Sequence, residues 1–397
     1  MWELLLMIVG GILVGVVSGL VPGVHINLVA ALVVSFSSVL LQWLSPLGAA
    51  LFIVSLSVTH NFLDFVPSTY LAAPSAETCE GVLPAHRLLR EGKGHEAVFF
   101  SVIGMVVGLV ISAIMFIPLV EGVKVVYKVI ERFIPAILIM VVGILIFREE
   151  KKLIALLVCL LSGALGLVVL NAKFLDDPLL PLLSGMFGIS GMIMSIAEGV
   201  KIQKQSTESD FEGKKGWMLP ASVKALVASC ATSFLPGLSG SHSTLFACSF
   251  SKMKEREVLF VNGFVNAASI MIGLIALFAI KKARNGAVVA MSELIEVDAG
   301  IMLALVAGVL ISCGVSAWLA LRVSKMFSLW IEKVNYKKVC FSVIALVVAL
   351  TFVVSGLWGV FVLGISVFLG FLPLITKVNR NHLMCVLIVP VVAYFLF

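Results

Sequence analysis

Long uninterrupted apolar runs recur along the whole chain, and they constrain its fold more than any other feature. Most of them are about 18 to 25 residues long, the length that an α-helix needs to cross a hydrocarbon core roughly 30 Å thick. Apolar residues make up 61% of the 397 residues and charged residues only 13%, which leaves no soluble domain of any size. The sequence therefore predicts an all-α polytopic membrane protein.

Two short tracts break these runs with a Pro-Gly pair followed by polar side chains. In the first tract, residues 19–27, Pro22 and Gly23 precede His25 and Asn27. In the second tract, residues 233–244, the pair is Pro236 and Gly237, and the residues after it that we single out are Ser239, Gly240, Ser241, His242, Ser243 and Thr244. Proline removes a backbone donor and glycine admits left-handed dihedrals, so each tract should interrupt a helix. Interrupted backbone is tolerated at membrane depth only where it is buried in protein or lines a wet cavity, so both tracts are candidate substrate-binding loops.

The charge pattern of the connections predicts their side of the membrane. Six connections carry basic residues and are predicted to be cytoplasmic, namely 74–96, 148–152, 201–216, 252–256, 322–338 and 377–380. The uncharged turns at 45–48 and 355–357 then lie outside, and so do both termini of this multi-pass protein of the cytoplasmic membrane. Topology alone also explains the net charge of +6, so we expect no nucleic-acid partner.

The linker-like residues 201–216 divide the chain into a first membrane repeat, 1–200, and a second, 217–397. Each half contains one Pro-Gly-broken helical hairpin plus five spanning helices, among them those predicted at 48–66, 300–323, 338–354 and 358–376. The first hairpin is predicted to enter from outside and the second from inside, which makes an inverted-topology repeat. Secondary transporters use such repeats to place interrupted segments around one midplane site that opens alternately to each side.

The polar residues of the tracts admit two interpretations. Hydroxyls, imidazoles and backbone N–H groups at helix N-termini can form an anion-binding cavity. Alternatively, the serines and threonines bond back to their own helix and the histidines fill a small polar pocket. The functional interpretation gains weight from the recurrence of the motif, because two unsatisfied breaks in lipid would be costly.

Further polar residues follow each hairpin. His60 and Asp64 are spaced to share one helix face, with Asn61 beside them, and Asn262 and Asn266 occupy the corresponding place in the second half. An ionisable residue at membrane depth is by default a functional hypothesis, so Asp64 is a candidate site for a coupling Na+ or H+. Its position near the predicted end of the 48–66 helix equally suits a solvated carboxylate, and core hydrogen bonding equally suits the two asparagines.

Other classes of function find little support in the sequence. It contains no His-Glu-x-x-His, no Gly-x-Ser-x-Gly and no phosphate-gripping Gly-x-x-x-x-Gly-Lys-Ser/Thr, and Ser241 and His242 point apart on a helix, so we predict no enzyme. The seven cysteines lie mostly in apolar runs, without the spacing of a disulfide framework or a zinc site. We expect them to be packing residues, and we expect neither a metal nor a cofactor.

The paired Pro-Gly motifs resemble those of the large membrane subunit of the tripartite tricarboxylate transporters, the TctA family, particularly its shorter archaeal-type members. The likeness extends over the sequence THNFLDFVPS at 59–68 and GVLPAHRLLREGKGHEA at 81–97. It covers about the first hundred residues well, the second motif fairly and the remainder in hydropathy. The chain is shorter than the typical bacterial subunit.

The resemblance implies carboxylate uptake coupled to an ion gradient, with an extracytoplasmic binding protein and a small membrane subunit as partners. The predicted function is therefore a permease for a small organic anion among membrane lipids. The second motif, PGLSGS at 236–241, also looks like the Pro-Gly-x-Ser-Gly-Gly loops of polyprenyl-phosphate translocases. A lipid phosphate is accordingly the alternative substrate, and a non-transporting membrane scaffold is the second alternative.

Overall fold

The structure, a computed structural model, consists of helices linked by short connections. It describes residues 2–21, 33, 41–71, 78–130, 133–172, 175, 178–197, 203–208, 215–233, 240–249, 253–283, 286–333 and 336–396. No β-strand occurs within these ranges.

The helices of the first half are α1 (Trp2–Leu20), α2 (Pro46–Tyr70), α3 (Cys79–Arg90), α4 (Gly94–Ile114), α5 (Phe116–Ile130), α6 (Ile134–Arg148), α7 (Lys152–Leu170), α8 (Leu179–Leu183) and α9 (Ser190–Ala197). A π-helical segment, Ser184–Ile189, joins α8 to α9. The helices of the second half are α10 (Met218–Ser233), α11 (Gly240–Ser249), α12 (Glu255–Ile280), α13 (Gly286–Leu294), α14 (Ala299–Ile331), α15 (Tyr336–Thr376) and α16 (Cys385–Leu396). The 3₁₀ segments Lys215–Trp217 and Arg380–Met384 precede α10 and α16.

Seven of the described helices are long and apolar enough to cross a bilayer: α1, α2, α4, α7, α12, α14 and α15. Shorter apolar helices accompany them. The prediction of an all-α polytopic membrane protein is thus confirmed. Among the spans, α2 is central, since 94% of its apolar window is buried inside the protein, against 33% for α1.

Two hydrophobic cores hold the helices together, and each one draws on both halves of the chain. The larger core centres on α2, α4, α12 and α14, with buried residues such as Phe62, Met105, Phe264 and Leu305. The smaller core joins α6, α7 and the π-helical segment to α15 and α16. The larger core also takes in residues of α9 and α15, such as Met192 and Val343, so α15 contributes to both cores.

The helix contacts occur in matched sets. The contact of α1 with α2 in the first half is matched by the contact of α10 with α12 in the second half. Between the halves, the contact of α2 with α14 is matched by that of α12 with α4, and the contact of α3 with α12 is matched by that of α13 with α2. In the smaller core, α7 packs on α16 and the π-helical segment packs on α15. In the larger core, exchanging α1, α2, α3 and α4 for α10, α12, α13 and α14 turns each contact into its partner.

Glycines allow several of these helices to touch backbone to backbone. A Cβ at Gly19 would lie 2.6 Å from the carbonyl oxygen of His60, so α1 rests directly on α2. Gly104 on α4 faces the backbone of Phe260, and Gly263 on α12 faces that of Ser101. Small residues serve this purpose in membranes, where close packing replaces the hydrophobic effect as the force between helices.

Two helix ends differ from the predicted ones, and one predicted break is present. Helix α2 continues past the predicted end at 66 to Tyr70, whose hydroxyl lies 3.1 Å from Ser324 Oγ and 2.5 Å from Ser328 Oγ on α14. Helix α14 likewise passes the predicted end at 323, because these two serines are buried against α2 rather than solvated. The helices predicted at 338–354 and 358–376 are both present in α15, which consists of two helices separated by a kink at Gly356, where φ is 62° and the predicted turn at 355–357 lies.

The expectation that every cysteine is a packing residue was wrong for one pair. Cys159 on α7 and Cys385 at the start of α16 form a disulfide, with Cα atoms 5.2 Å apart. The two residues are 226 positions apart in the chain, so local spacing gives no sign of the bond. Among the described residues, Cys230, Cys248, Cys313 and Cys340 are free thiols.

Candidate functional site

The breaks themselves lie outside the described residues. These undescribed positions are Pro22, Gly23, His25, Asn27, Pro236, Gly237 and Ser239. Gly240, Ser241 and His242 begin α11, so a helix follows the second tract directly. Ser243 and Thr244 are buried in its first turns. The site is therefore described through the residues that flank each tract.

The residues just before the first tract are fixed against α2. Ser18 Oγ and His60 Nδ1 are 3.0 Å apart and hydrogen-bonded, and both side chains are buried. The contact of Gly19 with the His60 carbonyl oxygen brings the two backbones together at this point. The first tract thus begins beside the imidazole that the sequence assigned to a separate cluster.

The two halves of the chain are joined next to this imidazole. Asn61 Nδ2 donates to Asn266 Oδ1 at 2.9 Å, and both side chains are buried. In an apolar surrounding such an amide pair is directional, because unpaired amide groups cannot turn to water instead. This bond therefore fixes the position of α2 along α12, one helix from each half, and it is made by two asparagines that were singled out from the sequence.

The last residue of the second tract, Thr244, contacts α12, which is one helix of this pair. Thr244 Oγ1 donates to Asn262 Oδ1 at 3.2 Å, and Asn262 Nδ2 donates to the carbonyl oxygen of Thr78 at 3.4 Å. Asn262 is also so close to α3 that a Cβ at Gly81 would lie 2.6 Å from its Nδ2. Asn262 therefore connects α11 to the start of α3.

Together these bonds form a polar chain, which we define as Ser18, His60, Asn61, Asn266, Asn262 and Thr244. Its first member, Ser18, directly precedes the first tract, and its last member, Thr244, is the last residue of the second tract. Asn262 and Asn266 are one turn apart on α12, so the chain crosses from one half to the other through two adjacent turns. Five of these residues were singled out from the sequence, and Ser18 was not.

Asp64 lies inside the protein rather than at a solvated helix end. Its side chain is 8% exposed, and α2 continues for more than one turn beyond it. The interpretation of Asp64 as a solvated helix-end carboxylate is therefore wrong, because the predicted end at 66 was too early. Asp64 stays one helical turn from His60 on α2, which keeps it a candidate for ion binding.

Three cavities lie side by side where α3 and α11 face the π-helical segment and the turn before α16. The first, of 260 Å³, is lined by Thr244 together with Glu80, Cys248 and Arg380. The second, of 250 Å³, shares Arg380 and Phe187 with the first and adds His86 and Arg90. The third, of 640 Å³, shares Asn379 and Asn381 with the first. Thr244 therefore connects the polar chain to this group of cavities.

Arg380 is the cation fixed between the first two cavities. Its Nη2 donates to the carbonyl oxygens of Met186 at 2.7 Å and Phe187 at 2.8 Å, and it lies 3.0 Å from Ser190 Oγ. The guanidinium carbon is 5.5 Å from the centroid of the Phe187 ring. The π-helical bulge supplies the two carbonyls, in keeping with the frequent use of such bulges at functional sites.

Burial changes the ionisation of the two titratable groups on α3 that line these cavities. Burial raises the pKa of the Glu80 carboxyl to about 8, against the opposing effect of the nearby Arg380 charge. Burial lowers the pKa of His86 to about 4, and the charges of Arg90 and Arg380 act in the same direction. His86 is therefore neutral near pH 7, and Glu80 is mainly protonated.

Glu80 and Arg380 were not singled out by reasoning from the sequence. Both were counted as ordinary charges of cytoplasmic connections, since each stands in a polar stretch. The usable signal was the motif that carries the family resemblance, because the sequence GVLPAHRLLREG begins one residue after Glu80. For Arg380 the contacts come from 190 to 194 positions away, so no local pattern marks it.

Comparison with known proteins decides the family. A family model described as the tripartite tricarboxylate transporter TctA family matches residues 5–385. The chain belongs to the TctA family. It is also 31% identical over 405 residues to an uncharacterized protein of Methanocaldococcus jannaschii, with 99% of both chains covered. No solved structure matches it.

Membership in the TctA family has direct consequences for function. The chain is a component of a transporter and not an enzyme, and it is a multi-pass membrane protein. TctA proteins work within tripartite systems, so transport involves further components. The alternative of a non-transporting scaffold is set aside by this finding.

Proposed function

We propose that this TctA protein is the permease of a tripartite system and moves an organic anion, a carboxylate, by alternating access around a site made by the two Pro-Gly tracts. The substrate-contacting residues would be Pro22, Gly23, His25 and Asn27 in the first tract and the residues 236–244 in the second. Its partners would be a small membrane subunit and an extracytoplasmic binding protein. Both termini would lie outside the cytoplasmic membrane.

One observation carries this proposal, namely the polar chain. Bonds of 3.0 and 2.9 Å join Ser18 to His60 and Asn61 to Asn266, and a bond of 3.2 Å joins Asn262 to Thr244, the last residue of the second tract. His60 and Asn61 are neighbours in α2, and Asn262 and Asn266 are one turn apart in α12. The flanks of two breaks that are more than 200 positions apart in the sequence thus converge on one helix pair. This convergence supports a single site that the two tracts share.

The matched helix contacts support the accompanying proposal of an inverted-topology repeat. An internal two-fold relation between 1–200 and 217–397 would generate such pairs, as when α2 packs on α14 and α12 packs on α4. In transporters built from inverted repeats, helix breaks face each other near the midplane, and the two repeats exchange conformations to open either side.

The experiment is substrate binding and transport by variants of the tracts. Asn27→Ala, Ser241→Ala and His242→Ala should each abolish binding of citrate, a tricarboxylate, while leaving thermal unfolding unchanged, because each removes a polar contact and no apolar packing. Binding is measured on the purified protein, and uptake is measured in vesicles containing the complete tripartite system.

Ser292→Ala is the matched control, since Ser292 is exposed on α13 and its hydroxyl donates to the carbonyl of Val289 in its own helix. Full citrate binding in all three tract variants would show that the tract residues have a purely structural role. A polyprenyl phosphate competitor tests the alternative substrate, because hydroxyls and helix N-termini suit phosphate as well as carboxylate. Binding of the lipid phosphate with no binding of citrate would replace the carboxylate proposal by the lipid one.

A further inference from the structure

The linker between the two halves is docked on the turn that joins α3 to α4. Of the predicted linker 201–216, the structure describes residues 203–208 and 215–216. In the first of these pieces, Ser206 N donates to the Gly92 carbonyl oxygen of that turn at 2.7 Å. Gln205 N donates to Glu332 Oε1, directly after α14, at 2.6 Å. The segment 203–208 is therefore bonded to the first half and to the second half of the chain.

Gln205 is the buried residue of this segment. It is 5% exposed, whereas the residues on either side of it are exposed. Both groups of its side-chain amide are hydrogen-bonded, since Oε1 accepts from Gly94 N at 2.9 Å and Nε2 donates to the carbonyl oxygens of Leu89 at 2.9 Å and Gln203 at 2.8 Å. A buried amide with these bonds has a fixed orientation, because rotation would leave polar groups without partners.

Two of these bonds are made at helix ends. Leu89 lies in the last turn of α3, and Gly94 is the first residue of α4. Carbonyls at the end of a helix and N–H groups at its start have no partner within the helix and need one from elsewhere. Lys93, which precedes α4, provides no side-chain capping bond to this helix. One amide of the linker thus caps α3 and α4 together, which fixes the two helices relative to each other at the turn.

The turn itself is shaped to receive the linker. Gly92 has a φ of 79°, and a Cβ on it would collide with the carbonyl oxygen of Lys204. A Cβ on Gly94 would lie 2.9 Å from Gln205 Oε1 and 2.9 Å from the Tyr70 ring. The two glycines of the sequence EGKGHEA at 91–97 are therefore required by the close approach of the linker, which gives this part of the motif a structural reason.

Helix α3 is also held at its other end. Asn262 Nδ2 donates to the carbonyl oxygen of Thr78, the residue that precedes α3, at 3.4 Å. Between these two ends, α3 lines the cavities of 260 Å³ and 250 Å³, with Leu83 and Arg87 in both and His86 in the second. The opposite walls include the π-helical segment and the turn before α16. The orientation of α3 therefore sets the width of both cavities.

We propose that Gln205 is a positioning residue for anion transport, which holds α3 in the orientation that shapes the cavities beside Thr244. This inference rests on the proposed function and extends it to the linker. Without the amide, the C-terminal end of α3 can leave this orientation, so only a fraction of the molecules has cavities of the binding shape. The apparent dissociation constant then rises by the inverse of that fraction. This role acts through α3 and involves no contact of Gln205 with the anion.

The test is citrate binding by the purified protein in nanodiscs, measured as a full isotherm that gives both the affinity and the binding capacity. Gln205→Ala should bind citrate about tenfold more weakly, the factor that corresponds to the loss of one or two hydrogen bonds. Its capacity at saturation should equal that of wild type, because citrate selects the binding shape. A purely structural role would instead lower the capacity, because misfolded protein binds citrate at no concentration.

Gln203→Ala is the matched control, since it removes the same type of side chain two positions away. Gln203 is exposed, and its carbonyl oxygen, which accepts from Gln205 Nε2, is kept in the variant. This control should bind citrate as wild type does. A second variant, Glu332→Ala, removes the acceptor of Gln205 N and leaves the side-chain amide in place, so it should weaken citrate binding by a smaller factor. If Gln205→Ala fails to fold, unchanged affinity in Glu332→Ala overturns the proposal.

A measurement without citrate separates this inference from the function on which it rests. Hydrogen–deuterium exchange at the amides of residues 79–94 should be faster in Gln205→Ala than in wild type and Gln203→Ala, because α3 has lost a cap. Unchanged citrate affinity in Gln205→Ala overturns the positioning role, whether or not exchange is faster, while the permease proposal stands. If wild type neither binds nor transports citrate, the proposed function fails, and unchanged exchange in Gln205→Ala would then show that Gln205 does not hold α3.

Discussion

Replacing Gly19 by alanine should force α1 away from α2 at the entrance to the first Pro-Gly tract. The new Cβ would lie 2.6 Å from the His60 carbonyl oxygen and 2.8 Å from Leu63 Cβ. Backbone and Cβ atoms cannot rotate away, so the helices must separate by about 0.6 to 0.8 Å to restore ordinary contact, at a cost of about 1 to 3 kcal/mol for overpacking. The separation would also stretch the bond of 3.0 Å between Ser18 and His60.

Gly10→Ala on the same helix is the matched control, because its Cβ would meet only the Phe52 ring at 3.5 Å, an ordinary contact. Replacing glycine by alanine raises helix propensity equally in both variants, by at most about 1 kcal/mol. The difference between their free energies of unfolding therefore gives the cost of overpacking alone. Reversible unfolding in mixed micelles measures both free energies. Ser18→Ala should then cost little when it is added to Gly19→Ala, since the bond is already broken. A Gly19→Ala protein as stable as Gly10→Ala would refute the close backbone contact.

Three further predictions concern the polar groups. Asn61→Ala and Asn266→Ala should be coupled in a double-mutant cycle by about 0.6 to 1.7 kcal/mol, the range for hydrogen bonds between membrane helices, and strictly additive unfolding energies would contradict the bond. Asp64→Asn should keep citrate binding measurable and remove its dependence on Na+, because the amide keeps the shape and loses the charge; an unchanged Na+ titration would assign Asp64 a structural role. The pKa of Glu80 is about 8 in the folded protein, above its ordinary value of 4.5, so between these two pH values the folded state binds more protons than the unfolded state. The contribution of Glu80 to folding stability is therefore complete below pH 4.5 and is lost as the pH rises through 8. Glu80→Gln should therefore flatten the decline in thermal stability over that window, and an identical pH profile in the variant would speak against a buried carboxyl.

The long apolar runs were the easiest sequence feature to interpret, because the membrane constrains the structure of such a run most strongly. Long apolar runs identified the spans because a lipid environment admits few alternatives to a helix. Helix ends were less accurate, as at 66 and 323, because the polar residues beyond each predicted end are buried against a helix from a distant part of the chain. In the structure Tyr70 bonds to Ser324 and Ser328 across 254 and 258 positions, and a partner so distant in the chain leaves no local trace.

The candidate site was only partly predictable for the same reason. His60, Asn61, Asn262, Asn266 and Thr244 stood out because polar groups in apolar helices need partners. Which partner each one takes was not visible, since Asn61 meets Asn266 over a separation of 205 positions. The disulfide between Cys159 and Cys385 was missed because the two cysteines meet only when α7 packs against α16.

By itself, the sequence determined that this chain crosses the membrane many times, that two Pro-Gly tracts interrupt its helices, and that it resembles the TctA family. These properties depend on local composition and on short motifs, which act through the solvent and through the backbone of adjacent residues. Only the tertiary structure decided that Arg380 is a fixed cation in a cavity and that Glu80 lines the same cavity. A charge in a connection has the same local sequence whether it meets water or protein, and its pKa and partners depend on helices that fold against it from distant parts of the chain.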